Sequence, residues 1–446
     1  MSEKKFIIAT LGCPKNEVDS DIICGKLIND SFTPTNSPTE ADFLIVNTCA
    51  FIADAVEENL RFIRKLAKIK KKSNAKLIVT GCLVERFKNN LFNVIPEIDA
   101  SIPTNNINEF GEILRNLDSA KTNIQFDSQT YIYKQRNEGS FFRNRSYAYI
   151  KVAEGCNRPC SFCIIPKIRG KFRSRLIDDI VDEAKFLIDQ GFKEIILVAQ
   201  DLSNYGQDIY KRTALDTLLV ELDKLPGQFW IRLLYLYPLG INDRLLETMS
   251  SLEKVANYID IPFQHSSRKM LQIMKRPTGK FEPRRLVEKI RSVRDDFHIR
   301  TTFIVGHPGE TDEDFNDLCR FVKEYKLTNV GVFCYSDEPE SESFRMSDKV
   351  SKSVAKKRYH ELMSIQKMVS AEILSQMKGK EITVLAETKR NGGAGVGRAY
   401  FQAPEIDGLT FIEAKNISLN KFIKCKITQT GDYDIWVKPS RLCESG

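Results

Sequence analysis

Between residues 147 and 333 the sequence repeats one pattern: a short apolar run, a polar turn, then an amphipathic stretch. The apolar runs lie at 147–152, 194–199, 230–234, 258–261, 301–305 and 329–333. The amphipathic stretches fall at 178–190, 214–225, 242–252, 283–294 and 312–325. Strands joined by helices of this length pair in parallel, because a parallel neighbour needs a crossover of about a dozen residues or more. Six such units predict an α/β fold with a parallel barrel, complete or incomplete. In barrels of this kind the chemistry sits at the carboxyl ends of the strands.

The first of those ends carries Gly155-Cys156-Asn157-Arg158-Pro159-Cys160-Ser161-Phe162-Cys163, a C-x3-C-x2-C spacing. Three thiolates crowded in one loop repel each other unless a cation holds them. Soft sulfur ligands point to zinc or iron–sulfur. Zinc ribbons offer their ligands in pairs, making four, whereas here no cysteine or histidine follows before His265. Three ligands on a four-iron cluster leave one iron open. Gln200-Asp201 ends the second strand, Gln264-His265 the fourth, and Gly306-His307-Pro308-Gly309-Glu310 the fifth. A glycine-bearing loop that opens a helix suits a polar ligand. A lone histidine such as His265 is more often a hydrogen-bonded structural residue than a catalyst. Downstream, Lys167, Arg169, Lys171, Arg173 and Arg175 give five cations in nine residues with no acid. That reads as a positive field for a carboxylate or phosphate on a cofactor or substrate.

The first third has its own strand pattern. Apolar runs at 6–13, 43–49 and 76–82 each end in a cysteine, and helical patterns follow at 19–28, 53–69 and 85–90. Such runs indicate a parallel sheet covered on both faces, with ligands outside the carboxyl ends. Adjacent strands would bring Cys13, Cys49 and Cys82 to one edge. One strand-end cysteine is commonly just a small buried residue; three out of three read as a ligand set. Cys24, Cys319, Cys425 and Cys443 read as packing or surface residues, and Cys334 closes the last barrel strand. Residues 61–72 carry seven basic side chains. Such a face is usually solvated surface, although it could meet RNA or an acidic protein. Residues 117–141 lose apolar periodicity and read as a linker with a short hairpin around Tyr131 to Tyr133. A long helix over 353–377 precedes five short strands at 381–386, 397–400, 410–412, 422–429 and 434–437, which suggest a small antiparallel, OB-like barrel.

No run of about 18 apolar residues is present, so no membrane span is expected. The apolar run after Lys5 is too short and too β-branched for a signal peptide. Eleven cysteines, an odd number, do not look like a disulfide framework. These features fit a cytoplasmic protein. The net charge of +8 permits a nucleic-acid or ribosomal partner without requiring one. A chain of 446 residues should form two to four domains.

The cysteine loop, with an aromatic residue between its last two cysteines, resembles that of the radical S-adenosyl-L-methionine enzymes. From Phe6 to Leu442, three dispersed cysteines followed by three clustered ones resemble the methylthiotransferases of that superfamily. Four stretches are most similar to the branch that modifies a ribosomal-protein aspartate: Leu11-Gly12-Cys13-Pro14-Lys15-Asn16, Cys163-Ile164-Ile165-Pro166, Asp260-Ile261-Pro262-Phe263-Gln264-His265 and Ala403-Pro404-Glu405-Ile406-Asp407-Gly408. The tRNA-modifying branch usually lacks the Pro-Lys after the first cysteine and has a more basic TRAM domain. His307 departs from the aromatic or apolar residue more usual in its loop.

The resemblance implies an N-terminal parallel-sheet domain (1–116), a linker (117–141), a radical SAM core built as a partial (β/α)6 TIM-like barrel (142–376), and a C-terminal TRAM domain (377–442). It implies a 4Fe–4S cluster on Cys156, Cys160 and Cys163, whose open iron takes S-adenosylmethionine and yields a 5'-deoxyadenosyl radical. It implies a second, auxiliary 4Fe–4S cluster on Cys13, Cys49 and Cys82. One S-adenosylmethionine methylates a sulfur there; another provides the radical that activates the β-carbon of an aspartate in protein twelve of the small ribosomal subunit. Gln200, Asp201, Ile304 and Gly306 occupy positions where relatives hold the cofactor. The implied partners are the ribosomal protein, free or within its subunit, an electron donor such as flavodoxin or ferredoxin, and a sulfur donor, with no membrane. The alternative is the same chemistry on a tRNA adenosine.

Overall fold

The structure, a computed structural model, describes residues 4–117, 122–124, 132–133, 145–389, 394–414 and 416–440. Its N-terminal part runs β1 (Lys5–Thr10), α1 (Pro14–Asn29), β2 (Thr33–Pro34), β3 (Phe43–Thr48), α2 (Ala53–Lys70), β4 (Lys76–Gly81), α3 (Cys82–Phe87), α4 (Leu91–Val94), β5 (Ala100–Ile102), α5 (Phe110–Arg115) and β6 (Thr122–Asn123). The strands form one parallel sheet in the order β2-β1-β3-β4-β5-β6. The three strands that end in cysteines are therefore neighbours, as their apolar runs predict. β2, β5 and β6 are too short to leave an apolar pattern. α1 starts at Pro14, five residues before the periodicity suggests, because proline at the first helical position needs no hydrogen-bond partner for its nitrogen. α3 likewise begins at Cys82, directly after β4. Most of the cations on α2 are exposed, with a loose pair between Arg61 and Glu57 at 3.8 Å, while the half-buried Lys70 pairs with Asp99 at 2.6 Å. The expected hairpin falls mainly outside the described residues.

The middle of the chain holds β7 (Tyr147–Lys151), β8 (Ala153–Glu154), α6 (Ile165–Arg169), β9 (Arg173–Ser174), α7 (Ile177–Asp189), β10 (Glu194–Val198), α8 (Leu215–Asp223), β11 (Trp230–Leu233), α9 (Asp243–Ser251), β12 (Tyr258–Asp260), α10 (Arg268–Ile273), α11 (Pro283–Val293), β13 (His298–Val305), α12 (Asp312–Tyr325), β14 (Asn329–Cys334) and the long α13 (Lys352–Ser375). Parallel ladders β7-β10-β11 and β12-β13-β14 are joined by a bridge between Ile231 and Val255. No ladder joins β14 to β7 among the described residues, so the barrel is partial. Side chains alternate across each strand. Ala148, Ile150, Ile195 and Leu197 pack outward with Ile180, Leu187 and Leu218 of the surrounding helices. Tyr149, Ile196, Val198 and Tyr258 face the concave side, in one core with Val18, Ile22 and Ile23 of α1. The N-terminal part thus fills the barrel's concave side. No helix among the described residues is long and apolar enough to cross a membrane.

β15 (Glu381–Lys389), β16 (Gly395–Ala399), β17 (Thr410–Ile412), β18 (Lys421–Thr430) and β19 (Ile435–Pro439) close into a barrel in the order β15-β16-β17-β19-β18. Not every pair is antiparallel: β17 and β19 run parallel. A closed ring of five strands cannot alternate direction throughout, so one parallel pair is unavoidable. Its 400–408 loop is clamped to the central barrel. Tyr258 donates to Asp407 at 2.7 Å, Tyr147 donates to Glu405 at 2.7 Å, and Arg398 pairs with Glu194 at 2.6 Å. Burial raises the pKa of Asp407 although the Arg300 guanidinium opposes it. Asp407→Ala leaves the Tyr258 hydroxyl and the Ala403 amide without their acceptor. We expect a loss of about 2–4 kcal/mol, read as a lower thermal midpoint; an unchanged midpoint would show that the clamp contributes nothing.

Candidate active site

The auxiliary cysteines meet at the carboxyl edge of the first sheet. Cys13 caps α1, Cys49 follows β3, and Cys82 opens α3. They stand close enough that each thiolate would repel the others. Gly12 permits this crowding: its φ is +102°, and a Cβ there would lie 2.5 Å from the Cys49 Cβ. Asn16 ties the strand ends together, donating to the carbonyls of Leu11 and Thr48 at 2.8 Å each. Asn59 accepts from the Cys49 amide at 3.0 Å.

The second set lies on the loop between β8 and α6. The Cys156 amide donates to Gly170 O at 3.1 Å and the Cys163 amide to Cys160 O at 3.1 Å. Arg276 Nη1 approaches Cys160 Sγ at 3.5 Å. Burial pushes the Cys156 thiol up to about 11 and the Cys163 and Cys82 thiols up to about 12.

A buried ionic network runs from Cys82 to the chain that leads into the second set. Arg169, at the end of α6, reaches Cys82 Sγ at 3.2 Å, Asn16 Oδ1 at 2.8 Å and Asp19 at 2.9 Å. Its fourth partner is Glu154, two residues before Cys156, at 3.4 Å. Lys151 pairs with both Asp19 and Glu154 at 2.5 Å. The five-cation run is therefore not a free positive field. Arg169 is spent here, and Arg175 is sealed against Glu183 at 2.6 Å.

The expected cofactor-contacting residues lie at the strand ends. Asp201 accepts from Arg158 at 2.6 Å and from Ser203 at 2.7 Å. Gln200 donates to Glu154 at 2.5 Å. Ile304 N donates to Gln264 O at 2.9 Å, and Gly306 N donates to Glu310. His265 is structural: its Nδ1 accepts from the amides of Ser266 and Ser267 at 3.0 Å, leaving Nε2–H facing Glu310 at 3.3 Å. His307 packs edge-on to Phe162 of the cysteine loop, and burial lowers its pKa to about 4. Cys334 is exposed, whereas Cys24, Cys319 and Cys425 are buried packing residues.

The third strand end supplies what sequence reading missed. Tyr235 adopts a left-handed φ of +66° and lies under Lys15, whose Nζ is 4.0 Å from the ring centroid. Tyr237 lies between Arg158 and Arg276, at 4.4 and 4.2 Å, beside Cys160. Tyrosines flanking a strand end before proline were the available signal. A separate groove of about 620 Å³ opens between the two barrels, lined by Trp230, Asn257, Arg294, Tyr400 and Lys424. None of the described cysteines borders it.

Two features fit iron–sulfur clusters and S-adenosylmethionine. Each set offers three soft donors whose protons only a strongly held cation displaces. The side-chain carbonyls of Gln200 and Gln264 are also buried at the strand ends without a hydrogen-bond partner, a ready place for a ligand's ammonium group. Among the described residues, no three histidines, cysteines or acids are gathered tightly enough for a single metal ion.

Residues 150–322 match the Radical SAM superfamily, residues 379–439 the TRAM domain, and residues 5–103 the uncharacterized protein family UPF0004. Among solved structures, the radical S-adenosylmethionine methyltransferase TsrM from Kitasatospora setae, with cobalamin and a [4Fe-4S] cluster bound, superposes with a TM-score of 0.57. That match covers 88% of this chain and 80% of TsrM at 14% identity, a likeness of fold. The class is thus that of radical SAM proteins. The chain is 41% identical over 433 residues to the ribosomal protein uS12 methylthiotransferase RimO of Thermoanaerobacter sp. (strain X514), covering 97% of this chain and 99% of that one. The RimO of Aquifex aeolicus (strain VF5) is 44% identical over 97% of this chain and 96% of its own. The chain belongs to the RimO family of radical SAM methylthiotransferases.

Proposed function

We propose that this chain is an enzyme that transfers a methylthio group to the β-carbon of an aspartate in ribosomal protein uS12. The observation that carries the reading is two three-cysteine sets in one chain, with a buried ionic network that runs from Cys82 through Arg169 to Glu154, two residues before Cys156. One set alone would suffice for radical formation; a second set beside it suits a sulfur to be transferred.

The cofactors are S-adenosylmethionine and iron–sulfur, and we assign two 4Fe–4S clusters, on Cys156, Cys160 and Cys163 and on Cys13, Cys49 and Cys82. When bound, they supply the hydrogen abstraction and the sulfur chemistry, which belong to the cofactors. The chain's own residues orient and shield. The buried, unpartnered carbonyls of Gln200 and Gln264 would accept from the ammonium of S-adenosylmethionine. Asp201 and Tyr237 hold Arg158 and with it the cysteine loop. The buried Glu154–Arg169–Asp19 network fixes α1, with Cys13 at its start, against the chain that leads into the cysteine loop. Residues 1–116 would form the auxiliary-cluster domain, 142–376 the radical core and 377–442 the TRAM domain. An outside reductant and a sulfur donor complete the reaction, placed in the cytoplasm with the ribosome.

The test is to incubate anaerobically reconstituted enzyme with isolated uS12 and, separately, with tRNA. Methylthio mass on uS12 alone is expected; gain on tRNA alone sinks the reading. Iron should count about eight atoms per chain.

A further inference from the structure

Lys15 is 9% exposed, yet among the described residues no carboxylate pairs with its ammonium. Burying a cation without a counter-ion is costly, so its surroundings need explaining. The acids around it are already matched: Glu17 pairs with Arg145 at 2.6 Å, Asp19 with Lys151 and Arg169, and Asp260 with Arg300 at 3.2 Å. Lys15 rests instead on the Tyr235 ring. A cation over an aromatic face gains roughly 0.5–2 kcal/mol, and the N–H donors that point away from the ring remain for a further acceptor. Tyr235 holds that ring in place from a left-handed backbone, a conformation a bulky residue adopts only when its surroundings enforce it. Its amide donates to Asp260 at 2.8 Å, and its carbonyl accepts from Leu202 N at 3.0 Å.

The location matters as much as the missing partner. Lys15 lies in the first turn of the sixteen-residue α1, capped by Cys13, so the helix dipole adds positive potential at the same place. Its charge acts on Cys49, and Tyr235 acts on Cys13. Two residues beyond Tyr235, Tyr237 is beside Cys160. The ammonium therefore lies by the auxiliary set, on the side where the chain passes to the radical set.

We propose that Lys15, seated on Tyr235, is the carboxylate-binding residue that holds the substrate's acidic side chain between the two cysteine sets. This rests on the function proposed above. An aspartate β-carbon is one bond from the carboxylate carbon, so fixing the carboxylate fixes the reacting carbon. Lys15 supplies the charge that distinguishes an acid from its neutral amide, and Tyr235 sets where that charge sits.

The test compares reconstituted full-length enzyme on uS12 carrying its native aspartate and on uS12 with that aspartate replaced by asparagine. Wild-type enzyme should prefer the aspartate form by at least about thirtyfold in kcat/KM, the range for a desolvated charge pair. Lys15→Gln should lose most of the activity on aspartate and bring the two substrates within about threefold of each other. Lys15→Arg should restore part of the preference. A merely structural lysine would lower both substrates alike and leave their ratio unchanged, and that result overturns the proposal. Wild-type enzyme that modifies tRNA and not uS12 overturns the underlying function instead, and the role of Lys15 falls with it.

Discussion

Cys160→Ala is expected to abolish S-adenosylmethionine cleavage while leaving the auxiliary set loaded. Cys160 lies on the loop of the second set, beside Arg276 and Tyr237, whereas Cys13, Cys49 and Cys82 stand at the edge of a different sheet. Removing one of three thiolates leaves too few ligands for a four-iron cluster. Iron should therefore fall from about eight to about four atoms per chain, and 5'-deoxyadenosine should disappear under reducing conditions. Cys49→Ala should do the converse: cleavage persists and methylthio transfer stops. Both quantities can be read on one anaerobic sample, by iron counting and by chromatography of the nucleoside. Loss of all iron from Cys160→Ala would show that the two sets do not load independently and would sink the two-site reading.

The cysteines were legible for two different physical reasons. Cys156, Cys160 and Cys163 form a local motif whose spacing survives without any fold. Cys13, Cys49 and Cys82 are scattered, but each ends an apolar run, and a parallel sheet necessarily gathers the carboxyl ends of neighbouring strands. Four of the six barrel strands, β7, β10, β11 and β12, were legible because they are buried on both faces and keep an apolar run; β13, extending back to His298, alternates buried and half-buried residues and so looks shorter, and β14 ends exposed. The terminal barrel was legible as five strands, though its closure forces the parallel β17–β19 pair that a strand count does not express.

What was not legible depends on α1 entering the concave side of the barrel. That docking puts Lys15 over Tyr235; Lys15 stands in the stretch after Cys13 that carries the resemblance, but Tyr235 belongs to no motif and nothing in the sequence pairs the two. It also turns Arg169 from an apparent surface cation into a buried one, with its Asp19 partner 150 residues away in the chain. Charge runs read from sequence carry no information about such distant partners. The same holds for Asp407: its stretch carries the resemblance, but nothing in the sequence shows that it anchors the terminal barrel to Tyr258.

Arg169→Met should be among the most destabilising single changes outside the cysteines. The network balances two cations, Lys151 and Arg169, against two carboxylates, Asp19 and Glu154, all nearly sealed from solvent. The cationic neighbours hold the Glu154 carboxyl well below the usual range although burial opposes them. Removing the guanidinium leaves Lys151 to serve both carboxylates and leaves one negative charge unmatched. Breaking a buried pair in this way costs about 3–5 kcal/mol. The thermal midpoint should drop accordingly, and Cys82 loses its only charged neighbour on α6. Charge balance makes the idea testable beyond simple damage. In Arg169→Met with Asp19→Asn, one cation faces one carboxylate, so the double variant should be more stable than Arg169→Met alone. A non-additive recovery of this sign is what a shared network produces between touching residues. If the two changes simply add, the network is a set of independent contacts, and its role as one unit behind Cys82 is lost with it.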